Sequence, residues 1–191
     1  FLAGQIKDIN DSHQQLQNLI QRINRESREM FLKTFEEVRG HFHVLFRKLF
    51  GGGKADIQLI NPEDVLESGI EITARPPGKE TRTLTLLSGG EKTMTALSLM
   101  FSIFKCRPSP FCLLDEVDAA LDEQNTERFA RLVGEFIDTS QFLVISHAKR
   151  TMAMADVLYG VTMQEPGVSK RISARFEDAE HHITQDAEPV G

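Results

Sequence analysis

Apolar residues open the chain at Leu2, Ile6, Ile9, Leu16, Ile20 and Ile23, with polar His13 filling one step, so that successive positions alternate between four and three residues. This is an a/d heptad stripe over about three heptads. An amphipathic helix lying on a globular core would show a similar stripe. The strict alternation, set among Gln14, Gln15, Gln17 and Asn18, favours a coiled-coil stub over residues 1–26. Such a stub is marginal alone and implies a partner strand elsewhere. A second helical stretch is expected from Ser27 to Phe50, where Phe31, Phe35, Val38, Phe42, Phe46 and Phe50 share one face and read as core. Gly51, Gly52 and Gly53 end it.

Two strand-like segments follow, Asp56–Ile60 and Ile70–Arg75, and Pro76-Pro77-Gly78 breaks the pattern. Beyond residue 88, helix and strand alternate. Glu91–Cys106 carries Met94, Leu97, Phe101 and Phe104 on one helical face, and Phe111–Leu114 is a continuous apolar run of the kind found in buried parallel strands. Glu123–Ile137 reads as a helix, Gln141–Ile145 as a second buried strand, and Lys149–Ala155 as a short helix. Leu158–Met163 and Val168–Phe176 read as a closing hairpin around Glu165-Pro166-Gly167. The alternation predicts an α/β fold, a mostly parallel sheet with flanking helices.

Composition changes this picture in three places. The net charge of −6 is concentrated at the end of the chain, because residues 177–191 hold five acidic side chains and no Lys or Arg. The body is therefore nearly neutral, and the last segment is expected to be an acidic, disordered tail in which His181 and His182 are solvated. Cys106 and Cys112 have neither disulfide nor metal spacing and read as small buried residues in a reducing compartment. No apolar run approaches membrane-spanning length, and the chain begins at Phe1 rather than Met, as expected of a segment excised from a longer protein.

Three motifs at ordered spacing carry chemistry. In Ser88-Gly89-Gly90-Glu91, a serine with a glutamate three residues later forms a capping box at a helix start. A cap alone does not need two glycines there, each costing about 1 kcal/mol of helix propensity. Side-chain-free positions at a helix N-terminus let a phosphate approach bare N–H groups, with Ser88 adding its hydroxyl. Asp115-Glu116 ends the apolar run 111–114, where open α/β sheets bind ligands. The first carboxylate suits a Mg²⁺ shell and the second can polarise an attacking water. Ser146-His147 ends the second buried strand, placing a histidine where it can donate to a terminal phosphate oxygen. Asp118 or Asp122 could cap the following helix.

The loop that should wrap the phosphates is missing, since no G-x-x-x-x-G-K-[ST] pattern occurs. Gly51-Gly52-Gly53-Lys54 fails as a substitute: Lys48 stands where the first glycine belongs, Ala55 follows the lysine, and a strand pattern comes next. The chain therefore reads as one half of a composite ATPase.

Through LFGGGKA, PPGK, LSGGEK, PFCLLDEVDAALD, SHAKRTM and ADVLYGVTMQEPGVSK, the chain resembles the C-terminal head lobe of a bacterial-type structural maintenance of chromosomes (SMC) protein, from the stub to about Phe176. The resemblance implies an ABC-type head over 27–176 and an ATP- and Mg²⁺-dependent machine organising chromosomes. Ser88, Gly89 and Gly90 would contact the γ-phosphate of ATP held by the opposite head. Asp115 would serve Mg²⁺, Glu116 would be the general base, Ala119–Asp122 the D-loop with Asp122 near nucleotide, and His147 the switch histidine. Implied partners are an N-terminal lobe carrying the phosphate loop, a second head in a homodimer, a kleisin-type subunit and DNA, in a cytoplasmic, nucleoid-associated setting without membrane. Arg22, Arg25, Arg28 and Lys33 form a basic cluster where the family would place DNA, although solvated helix charge reads the same.

Three other classes share parts of this pattern. A transporter nucleotide-binding domain carries its phosphate loop on the same chain and has no heptad stub. A DNA-break repair ATPase of the same superfamily is separated only by motif detail. A silent kleisin-binding scaffold would have no need of intact Glu116 and His147.

Overall fold

The computed structural model describes residues 2–165 and 167–175. The acidic segment 177–191, with His181 and His182, lies outside the described residues. The chain divides into two compact units, residues 1–110 and 111–191.

In the first unit, a single helix α1 (Leu2–Phe50) replaces the expected pair of helical stretches. No break falls at residues 26 and 27. What changes is burial: residues 4–30 are all exposed, and the phenylalanine face turns inward only from Phe31 onward. At 1.5 Å per residue, 49 residues span about 73 Å. The heptad residues Ile6, Ile9, Leu16, Ile20 and Ile23 are 49–67% exposed, an apolar stripe that the described residues leave largely open. The helix ends at Phe50 in a Schellman-type turn, with Gly52 N donating to Arg47 O at 2.9 Å. Gly51, Gly52 and Gly53 all take positive φ. At Gly53 a Cβ would also lie 2.3 Å from Arg75 O, so no other residue fits. This turn leads from helix into strand, the reverse of a phosphate loop's order.

Strands β1 (Lys54–Leu59), β2 (Ile70–Arg75) and β3 (Arg82–Thr83) form an antiparallel sheet, and β3 has no counterpart in the sequence reading. A 3₁₀ turn (Leu84–Leu86) leads to α2 (Gly89–Cys106). Phe35, Val38, Phe42 and Phe46 of α1 pack with Ala55, Ile57, Ala74 and Leu87 in one core. Phe46 and Phe50 stack at 4.1 Å between ring centroids. A bidentate ion pair joins α1 to β1: Arg39 Nε and Nη2 donate to Asp56 Oδ1 and Oδ2 at 2.6 and 2.7 Å. That pair, led by its hydrogen bonds, holds the Asp56 carboxyl down at about 2.

The second unit contains β4 (Phe111–Asp115), α3 (Glu123–Gly134), β5 (Gln141–Ile145), α4 (Lys149–Met152) and the hairpin β6 (Val157–Glu165) and β7 (Val168–Arg175). The β4–β5 pair is parallel, running in register from Phe111 opposite Gln141 to Asp115 opposite Ile145. Among the described residues this is where parallel pairing is confined. The other two sheets are antiparallel, which corrects the expectation of a mostly parallel sheet. The α/β class itself holds. The apolar run of β4 hid a second departure, because it is not buried on both faces: Phe111, Leu113, Leu143 and Ile145 share a face that is 48–62% exposed. Cys106 and Cys112 are half-buried rather than buried, and desolvation pushes both thiols up from their ordinary value. No helix among the described residues is long and apolar enough to cross a membrane.

Candidate functional site

Parallel pairing of β4 with β5 brings both strand ends to one edge, so the residues after Asp115 and Ile145 meet there. Glu116 N donates to Ile145 O at 2.9 Å, continuing the ladder one step. Glu116 is also the one non-glycine residue with positive φ among the described residues, at 48°. Such a conformation costs on the order of 1–3 kcal/mol and marks a turn that the surrounding structure must enforce. It turns the side chain toward the next loop, where Glu116 Oε1 lies 3.1 Å from His147 Nε2. The histidine side chain is 89% exposed, so no core packing fixes the ring.

Asp115 sits beside this pair as the exposed last residue of β4. Asp122 serves as N-cap of α3, its Oδ1 accepting from Asn125 N at 2.8 Å and its Oδ2 from Asn125 Nδ2 at 3.2 Å. Its carboxylate is therefore spent on the helix start, the alternative that the sequence left open. Asp118, by contrast, does not cap. It is buried and accepts from the hydroxyls of Ser146 and Thr151.

In the first unit, Ser88 is the N-cap of α2, with Gly89 and Gly90 as its first two helical residues. Glu91 Oε2 accepts from Ser88 N at 3.0 Å and from Ser88 Oγ at 2.8 Å. Its other oxygen takes a 2.8 Å hydrogen bond from Lys79 Nζ. The Lys79 hydrogen bond first, and then the Ser88 backbone bond, hold the Glu91 carboxyl at about 2. Lys79 was legible only as part of PPGK; nothing in the intervening sequence showed that it would reach Glu91. A Cβ at Gly89 would meet no atom within 4 Å, so no packing in this chain demands that glycine. The capping box occupies the Glu91 N–H with the Ser88 side chain, and the N–H groups of Gly89 and Gly90 have no intrahelical acceptor, as at any helix start.

The basic cluster is less concentrated than its sequence spacing implied. Arg22 pairs with Glu26 at 3.8 Å, both exposed. Arg25 and Arg28 line a shallow groove with Asn24, Asp64, Val65 and Leu66, which sets a carboxylate beside them. Lys33 is exposed. No group of three or more His, Cys, Asp or Glu side chains suited to a metal ion occurs among the described residues.

Ser88, Gly89 and Gly90 thus open a helix in the first unit, and Glu116 and His147 meet where two parallel strands end in the second. The model of the RecF/RecN/SMC N-terminal domain matches residues 4–170, and the chain belongs to that family. The chromosome partition protein Smc of Rhodopirellula baltica is 55% identical over 177 residues, 93% of this chain and 15% of that protein. The chain thus spans roughly a seventh of the length of the curated relatives it matches. A solved chain from structural biochemistry of ATP-driven dimerization and DNA-stimulated activation of SMC ATPases is 40% identical with a TM-score of 0.72, covering 86% of this chain and 99% of that one. The Smc head domain with an extended coiled coil, bound to the C-terminal domain of ScpA and derived from Pyrococcus furiosus, is 39% identical with a TM-score of 0.79 over 95% of this chain and 46% of that one.

Proposed function

We propose that this chain is the C-terminal lobe of an SMC ATPase head, half of a composite site that hydrolyses ATP only when two heads meet. The observation that carries the reading is the Glu116–His147 contact at the edge where β4 and β5 both end. There a carboxylate can take a proton from water while the histidine donates to the terminal phosphate. Asp115, exposed beside them, would hold Mg²⁺ through water. The remaining ligands would come from the nucleotide and from water, the usual way in which Mg²⁺ is held beside a phosphate. The ion would neutralise charge on the transferred phosphate. In the free chain His147 rests against Glu116; arrival of the phosphate would draw the histidine away and free the carboxylate to act as base.

Ser88, Gly89 and Gly90 would receive the γ-phosphate of ATP bound to the opposite head. A glycine that the chain's own packing does not require supports that role. Binding would turn the Ser88 hydroxyl from Glu91 to the phosphate. Asp122 would act in the D-loop through its backbone and its cap of α3. The exposed face of Phe111, Leu113, Leu143 and Ile145 supports an N-terminal lobe as covering partner, one that brings the phosphate loop. The bare heptad stripe of α1 supports a coiled-coil strand as its partner. A kleisin-type subunit is proposed because similar heads were solved bound to ScpA domains. Chromosome organisation in the cytoplasm, on DNA, is the role this reading assigns.

The test pairs two variants of the assembled head. Glu116→Gln should slow hydrolysis by about 10²–10⁴-fold while ATP still joins the heads, because an amide cannot accept the proton. Ser88→Arg should block joining by placing a long side chain where backbone meets phosphate. Light scattering with ATP and Mg²⁺ separates the two; Glu116→Gln heads that stay monomeric would overturn the proposal.

A further inference from the structure

Asp118 is a buried carboxylate, 4% exposed. A buried carboxylate must find donors. Asp118 finds two hydroxyls, both on Oδ2: Ser146 Oγ at 2.5 Å, from the turn after β5, and Thr151 Oγ1 from α4. Ser146 Oγ in turn accepts from Ala148 N at 2.9 Å. His147 is thereby bracketed, since the residue before it is tied to Asp118 and the residue after it is tied to Ser146. On the other side, the turn that carries Asp118 is closed by Ala119 N donating to Glu116 O at 3.1 Å and Leu121 N donating to Asp118 O at 3.0 Å. Glu116 and Asp118 therefore belong to one short turn, and His147 and Ser146 to the other.

We infer that Asp118 is the positioning residue that sets His147 against Glu116. The exposed imidazole has no core packing to hold it, so its place depends on its backbone, and that backbone is held by the Asp118–Ser146–Thr151 knot. The same knot ties the start of the Ala119–Asp122 segment to the histidine turn, so a displacement of either reaches the other through one carboxylate. Asp118 does not touch the reacting atoms; it acts through Ser146. This inference rests on the ATPase reading above for its catalytic consequence, but its geometric core does not.

The experiment therefore has two arms. In this chain without nucleotide, the His147 ring nitrogens are followed by NMR in wild type, Ser146→Ala, Ser146→Thr and Asp118→Asn. Ser146→Ala and Asp118→Asn should shift the His147 signals, and Ser146→Thr, which restores a hydroxyl, should return them toward wild type. In the assembled head, Ser146→Ala should lower kcat for ATP by about tenfold or more with KM within about twofold, and Ser146→Thr should recover most of the loss. A purely structural role would lower melting temperature and raise KM together without that split. Unmoved His147 signals in both Ser146→Ala and Asp118→Asn, or an unchanged kcat in Ser146→Ala, would overturn the inference. Should Asp118→Asn fail to fold, the Ser146 pair carries the same test. A wild-type head that hydrolyses no ATP would defeat the ATPase reading and leave the NMR arm to judge the positioning.

Discussion

In the unit spanning residues 1–110, Phe42 and Phe46 are fully buried and Leu45 and Leu49 are 1% exposed, whereas in the unit beginning at Phe111 four apolar side chains of one sheet face lie half open. In the first unit the core is built from α1, β1 and β2 together with Leu87 and Leu84 at the turn before α2. The second puts apolar residues on both faces of a two-stranded parallel pair but covers only one. Their polar sites differ in the same way. Around Ser88 the geometry is set by charge, Lys79 on Glu91. Around His147 it is set by hydroxyls on a buried carboxylate. On the proposed reading the open face is where an N-terminal lobe would sit, and it is the feature that the first unit's core lacks.

Core substitutions should break this comparison most sharply. Phe42→Ala is expected to cost about 3–5 kcal/mol in this chain, because a fully buried ring leaves a cavity. Leu143→Thr, on the open face, should change chain stability by about 0.5 kcal/mol or less. It should instead weaken pairing with the N-terminal lobe by about 1 kcal/mol, because roughly half of a leucine's burial value is still to be gained at this half-exposed position. Denaturant melts of the chain and titrations against the lobe would read the two numbers. Equal costs at both positions would mean the exposed face is not kept for a partner.

A smaller effect should come from the clamp between α1 and β1. Asp56→Asn should destabilise the chain at neutral pH by about 1–2 kcal/mol, the low end reflecting solvent screening of a pair still partly exposed. The carboxyl of Asp56 is depressed in the folded chain to about 2. Its contribution is therefore complete above the unfolded value near 4 and disappears as pH falls through about 2. The stability difference between wild type and Asp56→Asn should shrink across that window in acid melts. Glu91, also held at about 2, should add acid sensitivity in the same range. A difference that persists below pH 2 would show that the loss is steric rather than ionic.

The smallest expected effect is at the helix surface. Reversing charge at Arg22, Arg25 and Arg28 should weaken duplex binding by the assembled protein and flatten its salt dependence by about one unit of slope per lost phosphate contact. Affinity unchanged across a salt series would remove the cluster from any role with DNA. The acidic neighbour Asp64 in the groove makes this the weakest of the expected changes.

Sequence pattern revealed those features that depend on local order. The apolar runs and the Ser88 and Asp115-Glu116 motifs located α2, β4 and β5 almost to the residue, because periodicity and capping are local. Continuity of α1 through residues 26 and 27 was hidden, since a change from bare stripe to packed stripe looks like a boundary when only side chains are counted. The closing hairpin was legible from the turn between its strands and pairs antiparallel as β6–β7, whereas the antiparallel pairing of β1 with β2 was not, because pairing direction across a longer connection depends on contacts between segments. At the site, Glu116 and His147 were legible as types at strand ends, and their contact was not, since it needs the left-handed turn at Glu116. Asp118 was read as a possible cap; only burial and its two hydroxyl donors reveal its position in the fold.

On the proposed reading the site is divided between lobes and shared between heads. The most direct measurement is ATP turnover by this chain alone, and then with the N-terminal lobe over a wide range of head concentrations. The chain alone should show no turnover. Once the lobes are joined, the rate should rise faster than linearly with concentration, because each site would need Ser88 from a second head. Turnover by the isolated chain, or a rate strictly proportional to concentration far below the point where heads associate, would contradict that reading.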